Sequence, residues 1–169
     1  PIMLFFCIMI TLETSGAPIY FQERLGINGK KFNVFKLRSM VKDAEMNGPQ
    51  WAKEHDQRIT KVGLFIRKTR IDELPQLLNI LRGDMSFVGP RPEREFFYNE
   101  FDAYIPEFKE RLIVKPGLTG WAQINGGYNL DPKEKLRLDM EYIEMKTFRM
   151  DIRILCKTVL IVLNGNGAR

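Results

Sequence analysis

The spacing of apolar residues changes several times along the chain, and each spacing predicts an element. Over residues 1–12 only Thr11 is clearly polar, so the chain opens as one apolar helix. Ser15-Gly16-Ala17-Pro18 ends it. Residues 18–22 and 32–38 then read as two strands, the second setting Phe32, Val34 and Phe35 against Asn33, Lys36 and Arg38. Asn28-Gly29 between them predicts a hairpin turn, because both residue types tolerate positive φ. Residues 41–57 are polar and broken by Asn47-Gly48-Pro49. They read as a loop, a candidate mobile lid, with one short helix around 50–54. Residues 58–70 carry Val62, Leu64, Phe65 and Ile66 at helical spacing. Asp72 is the expected N-cap of the next helix, with Pro75 in its first turn and a core-facing stripe of Leu74, Leu77, Leu78 and Leu81. Gly83 is its expected stop. Residues 93–105 form an aromatic amphipathic helix, and 115–121 a glycine-punctuated loop. Helices over 132–146 and 152–163 complete the prediction.

This order predicts an α+β chain dominated by helices, with one short β-hairpin. At 169 residues it is expected to be a single domain with a real core. Twelve helical residues reach about 18 Å, short of the roughly 30 Å hydrocarbon layer. The opening segment therefore fits a buried core helix, a cleaved signal segment or half of a re-entrant membrane hairpin. The chain begins at Pro1 rather than methionine, and the expectation is a piece of a longer protein.

The net charge of +5 and pI of about 9.3 favour an anionic partner: nucleotide, nucleic acid or lipid surface. Residues 24–42 hold six basic side chains and no acidic one, and residues 58–70 hold five and none. A cationic amphipathic helix of the second kind lies on a membrane surface or packs with its charges outward. Cys7 and Cys156 sit in apolar runs and do not suggest a disulfide framework. His55 is the single histidine, in a polar run, and reads as solvated.

Candidate chemistry concentrates at Asp72-Glu73. A helix start favours anions through its free N–H groups and dipole, and phosphate can bind there. A carboxylate can attack phosphorus, and a neighbouring one can hold Mg²⁺ together with substrate phosphates. The plainer alternative is a cap followed by a first-turn acid. Arg67, Lys68 and Arg70 precede the pair, as phosphate partners or as a solvated basic face. Gly89-Pro90-Arg91-Pro92 presents one guanidinium from a rigid turn. Lys36 and Arg38 alternate along a strand, as a site wall or a solvated face.

Taken in order, Phe35-Lys36-Leu37-Arg38-Ser39-Met40, Arg70-Ile71-Asp72-Glu73-Leu74-Pro75-Gln76-Leu77, the run from Gly83 to Pro92, and Lys115-Pro116-Gly117-Leu118-Thr119-Gly120-Trp121-Ala122-Gln123 closely resemble the bacterial sugar transferases, the monotopic phosphoglycosyl transferases. The resemblance covers nearly the whole chain. It implies a monotopic membrane enzyme on the cytosolic face of the bacterial inner membrane. Residues 1–14 would be the second half of a re-entrant helix, and 15–169 the catalytic domain with amphipathic surface helices. The implied reaction moves a sugar-1-phosphate from a UDP-sugar to undecaprenyl phosphate and releases UMP, starting exopolysaccharide, capsule or O-antigen type glycans. Asp72 matches the family nucleophile, which forms a covalent phosphosugar. Glu73 matches its Mg²⁺-assisting partner, and Asp139 a metal neighbour. Arg67 matches a phosphate contact, Pro90, Arg91 and Pro92 the turn near the nucleotide, and Lys36, with Arg38, the Phe-Lys-x-Arg strand. Some small members carry an arginine after Trp-Ala-Gln, which residues 125–129 lack. Implied partners are the donor, the lipid acceptor and membrane lipids, with nucleic acid not expected and a homo-oligomer left open. The rival reading is a catalytically silent scaffold of the same fold on the membrane surface.

Overall fold

The computed structural model describes residues 1–46, 48, 56–126 and 130–164. Helix α1 (Ile2–Glu13) leads into an antiparallel hairpin of β1 (Ile19–Leu25) and β2 (Lys31–Leu37). Asn28 and Gly29 turn the hairpin with φ of 54° and 75°, as the Asn-Gly pair predicts. The paired register runs from Ile19 opposite Leu37 to Leu25 opposite Lys31. Both strands reach further into the turn than their alternation suggests, because the ladder continues through Arg24 and Lys31. Helix α2 (Lys61–Lys68) follows, then a 3₁₀ helix (Ile71–Gln76) running directly into α3 (Leu77–Arg82). Beyond β3 (Ser86–Val88) come α4 (Glu95–Asp102), a 3₁₀ helix (Phe108–Ile113), β4 (Gly117–Thr119), α5 (Trp121–Gly126), α6 (Pro132–Met145) and α7 (Phe148–Leu163).

Three apolar clusters hold these elements. Ile10, Leu37 and Ile66 join α1, β2 and α2. Leu25, Tyr98, Phe101, Ile105 and Phe108 pack the hairpin against α4 and the second 3₁₀ helix. Val88, Ile124, Tyr142 and Ile154 join β3, α5, α6 and α7. The α1 and α2 ends are also locked by polar contacts. Glu13 accepts from the free backbone N–H groups of Lys61 and Val62 at 2.7 and 3.0 Å, and Thr60 caps α2 through Gly63 N–H.

Several expectations change. Asp72 is not an N-cap. Arg70, at φ 58°, precedes the 3₁₀ helix, and Asp72 lies inside its first turn. The leucines of α3 do not face the core: Leu78 and Leu81 are 47% and 84% exposed, whereas Gln76 and Asn79 are buried. Helical spacing identifies an apolar face but not what that face meets. The buried side is instead fixed by Asn79, which accepts from Phe35 N–H at 3.1 Å and donates to Asn33 O at 2.7 Å. Helix α1 is not a core helix either, since only Ile10 is buried while Leu4, Phe5 and Leu12 are exposed. Residues 117–119 form a strand parallel to β3 rather than a plain loop. Helix α7 begins at Phe148, capped by Thr147, four residues before the predicted start. The expected helix over 50–54 and His55 lie outside the described residues. No helix among the described residues is long and apolar enough to cross a membrane.

Candidate active site

The hairpin, α2, the first 3₁₀ helix and the turn after β3 enclose a cavity of about 290 Å³. Lys36, Arg67, Arg70, Asp72 and Arg91 contribute to its wall. The sequence therefore brings together residues separated by more than fifty positions, and the fold explains how. Asn79 ties the segment carrying Asp72 and Glu73 to β2, which carries Lys36. Gly89 lets the Arg91 turn sit against the β4 backbone. Gly89 N–H donates to Thr119 O at 2.9 Å and Gly117 N–H to Pro90 O at 3.0 Å. A Cβ on Gly117 would collide with the Gly89 backbone. Pro90 and Pro92 are buried and shape the turn, while Arg91 reaches the cavity.

The two adjacent carboxylates live in different environments. Glu73 Oε1 receives Arg91 Nη2 at 2.5 Å, Lys36 Nζ at 3.4 Å and Arg70 Nη1 at 4.0 Å. Burial pulls the Glu73 pKa upward, but these three cations outweigh it and hold the carboxyl well below the usual range. Asp72 is pushed up to about 6, first by burial and then by the charge of Glu73, against the pull of Lys36, Arg67 and Arg70. Its Oδ1 is buried and has no hydrogen-bond partner among the described residues, and the same holds for Arg67 Nη1. A buried orphan acceptor and a buried orphan donor line one cationic cavity. Unsatisfied groups of this kind each carry a desolvation cost of roughly 1–3 kcal/mol, which a bound polar ligand relieves.

The remaining expected site residues separate into two groups. Arg38 lines the cavity, but its guanidinium is engaged at the end of α1. It donates to Thr14 O at 2.8 Å, Thr14 Oγ1 at 3.0 Å and Ser15 O at 2.6 Å. Asp139 is not on the cavity wall. It is buried and paired with Arg111 Nε at 2.7 Å. Among the described residues no three His, Cys, Asp or Glu side chains stand together as a metal cage.

Sequence reasoning missed a charge network on the cavity wall itself. Glu93 pairs with Arg24 at 3.1 Å and with Lys135, and Arg24 also donates to Pro92 O at 3.2 Å. Nothing local marks these residues as partners. Only the hairpin reaching Glu93, where Leu25 N–H donates to Glu93 O at 3.0 Å, brings them together. Glu45 also escaped notice. It accepts from Arg94 at 2.7 Å and so ties the start of the expected lid to the far end of the cavity.

Comparison with known proteins gives the chain its relatives. The family model described as bacterial sugar transferase matches residues 1–165. Over 172 residues the chain is 44% identical to the UDP-N-acetylgalactosamine-undecaprenyl-phosphate N-acetylgalactosaminephosphotransferase of Aeromonas hydrophila, covering 100% of this chain and 41% of that protein. It is 39% identical over 183 residues to the undecaprenyl-phosphate galactose phosphotransferase of Salmonella typhimurium, covering 99% and 38%. It is 38% identical over 174 residues to the UDP-glucose:undecaprenyl-phosphate glucose-1-phosphate transferase of Xanthomonas campestris pv. campestris, covering 99% and 36%. The chain thus spans about two fifths of the length of these relatives.

Proposed function

Because the chain belongs to the bacterial sugar transferase family, we propose that it transfers a sugar-1-phosphate from a UDP-sugar to undecaprenyl phosphate, as the first step of a surface glycan. The observation that carries this reading is the unpartnered Asp72 Oδ1 in a cavity walled by Lys36, Arg67, Arg70 and Arg91. A carboxylate oxygen with no hydrogen-bond partner among the described residues is available to attack, and the surrounding cations suit a diphosphate.

In this mechanism an Asp72 carboxylate oxygen attacks the phosphorus that bears the sugar. The bond from that phosphorus to the bridging oxygen breaks, and UMP leaves with the electron pair. A phosphate oxygen of undecaprenyl phosphate then attacks the same phosphorus. The Asp72–phosphorus bond breaks, which restores the carboxylate and gives the lipid diphosphosugar. Arg67 and Lys36 bind and orient the phosphates, while Arg91 and Arg70 keep Glu73 ionised beside them. The donor set fits Mg²⁺, a hard cation commonly held by one or two carboxylates together with substrate phosphates. Asp72 and Glu73 would hold it, and when bound it would neutralise charge developing on the diphosphate. Asp139, committed to Arg111, stays outside that set.

We assign the protein to the cytosolic face of the bacterial inner membrane. Support comes from apolar side chains left exposed on three helices: Leu4 and Phe5 of α1, Leu64 and Phe65 of α2, and Leu78 and Leu81 of α3. Phe6 of α1 stacks on Phe65 of α2, with ring centroids 5.8 Å apart, so the two helices form one face. The relatives' names carry three different sugars, so family membership leaves the transferred sugar open.

The test is a panel of UDP-sugars with Mg²⁺ and undecaprenyl phosphate, read by UMP release. At least one donor is expected to turn over, and Asp72→Asn to abolish the release. With acceptor withheld, intact mass should show one phosphosugar on the wild-type chain. Turnover by Asp72→Asn at the wild-type rate would refute the nucleophile. Failure of every donor would favour the silent scaffold.

A further inference from the structure

Arg111 sits apart from the cavity wall, yet its surroundings point back to it. Its side chain is completely buried, and so is the Asp139 carboxylate that accepts from its Nε at 2.7 Å. The guanidinium carbon lies 4.8 Å from the Phe108 ring centre and 5.6 Å from that of Tyr98. The group is held on several sides, with one arm extended. That arm, Nη2, donates to the backbone oxygen of Arg91 at 3.0 Å. Arg91 in turn places its own guanidinium 2.5 Å from Glu73 Oε1. Asp139 on α6 is therefore linked through Arg111 to the backbone of Arg91, whose own side chain reaches the partner of the reacting carboxylate.

A buried ion pair is a poor way to add stability, because desolvation commonly cancels the Coulomb gain and an apolar pair of similar volume does as well. What an apolar pair cannot do is hold a backbone carbonyl. Pro90 and Pro92 fix φ on both sides of Arg91, and Gly117 N–H holds Pro90 O. Arg24 and Leu25 hold the chain just beyond, at Pro92 O and Glu93 O, and the Arg91 carbonyl is held from the far side by Arg111.

We propose that Arg111, oriented by Asp139, is a positioning residue that aims Arg91 at Glu73. The inference rests on the transferase reading for its activity readout, and on the turn alone for its structural one. The perturbation is the paired apolar replacement Arg111→Met with Asp139→Leu, in the full chain in lipid nanodiscs, made with and without Arg91→Ala. Arg111→Lys is a second variant. It keeps a cation for Asp139 but lacks the guanidinium fork that serves two acceptors at once.

The paired variant is expected to melt no lower than wild type while kcat falls about a hundredfold, the scale of misplacing a catalytic group by an ångström. Adding Arg91→Ala to it should cost no more than Arg91→Ala alone, because both act through one contact. Hydrogen exchange at the amides of Arg91, Glu93 and Arg94 should quicken about tenfold in the paired variant, with the β2 amides unchanged. Should the paired variant fail to fold, Arg111→Lys carries the same expectations for kcat, for the combination with Arg91→Ala and for exchange. Wild-type kcat in a folded variant, or losses that multiply with Arg91→Ala, would overturn the proposal. If no UDP-sugar is turned over by wild type, the transferase reading fails by itself. Exchange at the turn then decides the positioning role, and unchanged exchange overturns it.

Discussion

Replacing the proposed nucleophile should make the protein more stable. Asp72 has an ordinary pKa of 3.8 and is pushed up to about 6 in the fold by burial and by the charge of Glu73. At pH 7.5 it is nevertheless ionised, so the folded state carries a charge that its surroundings disfavour. Raising the carboxyl from 3.8 to about 6 corresponds to about 3 kcal/mol, at roughly 1.4 kcal/mol per tenfold change in proton affinity. Asparagine has the shape of the protonated acid and no charge, so Asp72→Asn should recover an energy of that order. For a chain of this size about 3 kcal/mol corresponds to a rise in Tm of roughly 6–12 °C.

The pH dependence follows from the same displacement. A carboxyl whose folded pKa is raised takes up a proton in the folded state first. Wild type therefore gains stability relative to Asp72→Asn as pH falls from about 6 toward 3.8. The advantage of Asp72→Asn is full above that window and absent below it. Urea denaturation of both proteins with EDTA present, at pH 8, 5 and 3.5, reads the difference without bound metal. An Asp72→Asn protein no more stable than wild type at pH 8, or a gap that survives at pH 3.5, would refute the reasoning.

The neighbouring substitution should behave oppositely. Glu73→Gln leaves Arg91, Lys36 and Arg70 facing a neutral amide, and removing one partner of a buried ion pair costs about 3–5 kcal/mol; its urea midpoint should fall. Gly117→Ala drives a Cβ into the Gly89 backbone, so it should lose about 1–3 kcal/mol by overpacking and lower UMP release by displacing the Arg91 turn. Phe65→Ser removes an exposed aromatic from the α1–α2 face, at about 1.5–3 kcal/mol per buried Phe. Sedimentation with vesicles of bacterial phospholipid should show binding weakened about tenfold, beyond the modest loss of thermal stability that follows from unstacking Phe6.

Local chemistry explains which parts of this fold were legible in the sequence. Asn28-Gly29 and Gly83 supply left-handed backbone that few other residues adopt cheaply, and both mark their elements correctly. The run around Asp72-Glu73 points to the family because residue type and order, rather than three-dimensional packing, carry the resemblance. The orientation of α3 was not legible. Its leucines announce an apolar stripe, but a stripe reads the same whether protein or lipid covers it, and the buried face is chosen by Asn79 reaching β2. The pairing of Ser86 with Gly117 and of Val88 with Thr119 was equally hidden. Two three-residue strands have no alternation to read, and they meet only after the chain has folded. Arg111 lies in Phe-Lys-Glu-Arg-Leu-Ile, where nothing distinguishes the charge that will be buried from the two that will not.

The asymmetry between Asp72 and Glu73 follows from where the cations are placed. Two adjacent carboxylates in one buried site resist double ionisation unless positive charge is supplied. The contacts of Arg91, Lys36 and Arg70 converge on a single oxygen of Glu73, so Glu73 stays anionic and Asp72 becomes the member that titrates. A carboxylate tied into several ion pairs is a poor nucleophile, because attack would have to break them. One that is raised in pKa, ionised at neutral pH and, among the described residues, without a hydrogen-bond partner at Oδ1 is a better one. Glu73 thereby contributes in two ways at once. It absorbs cations that would otherwise pair with Asp72, and its own charge raises the basicity of the oxygen proposed to attack.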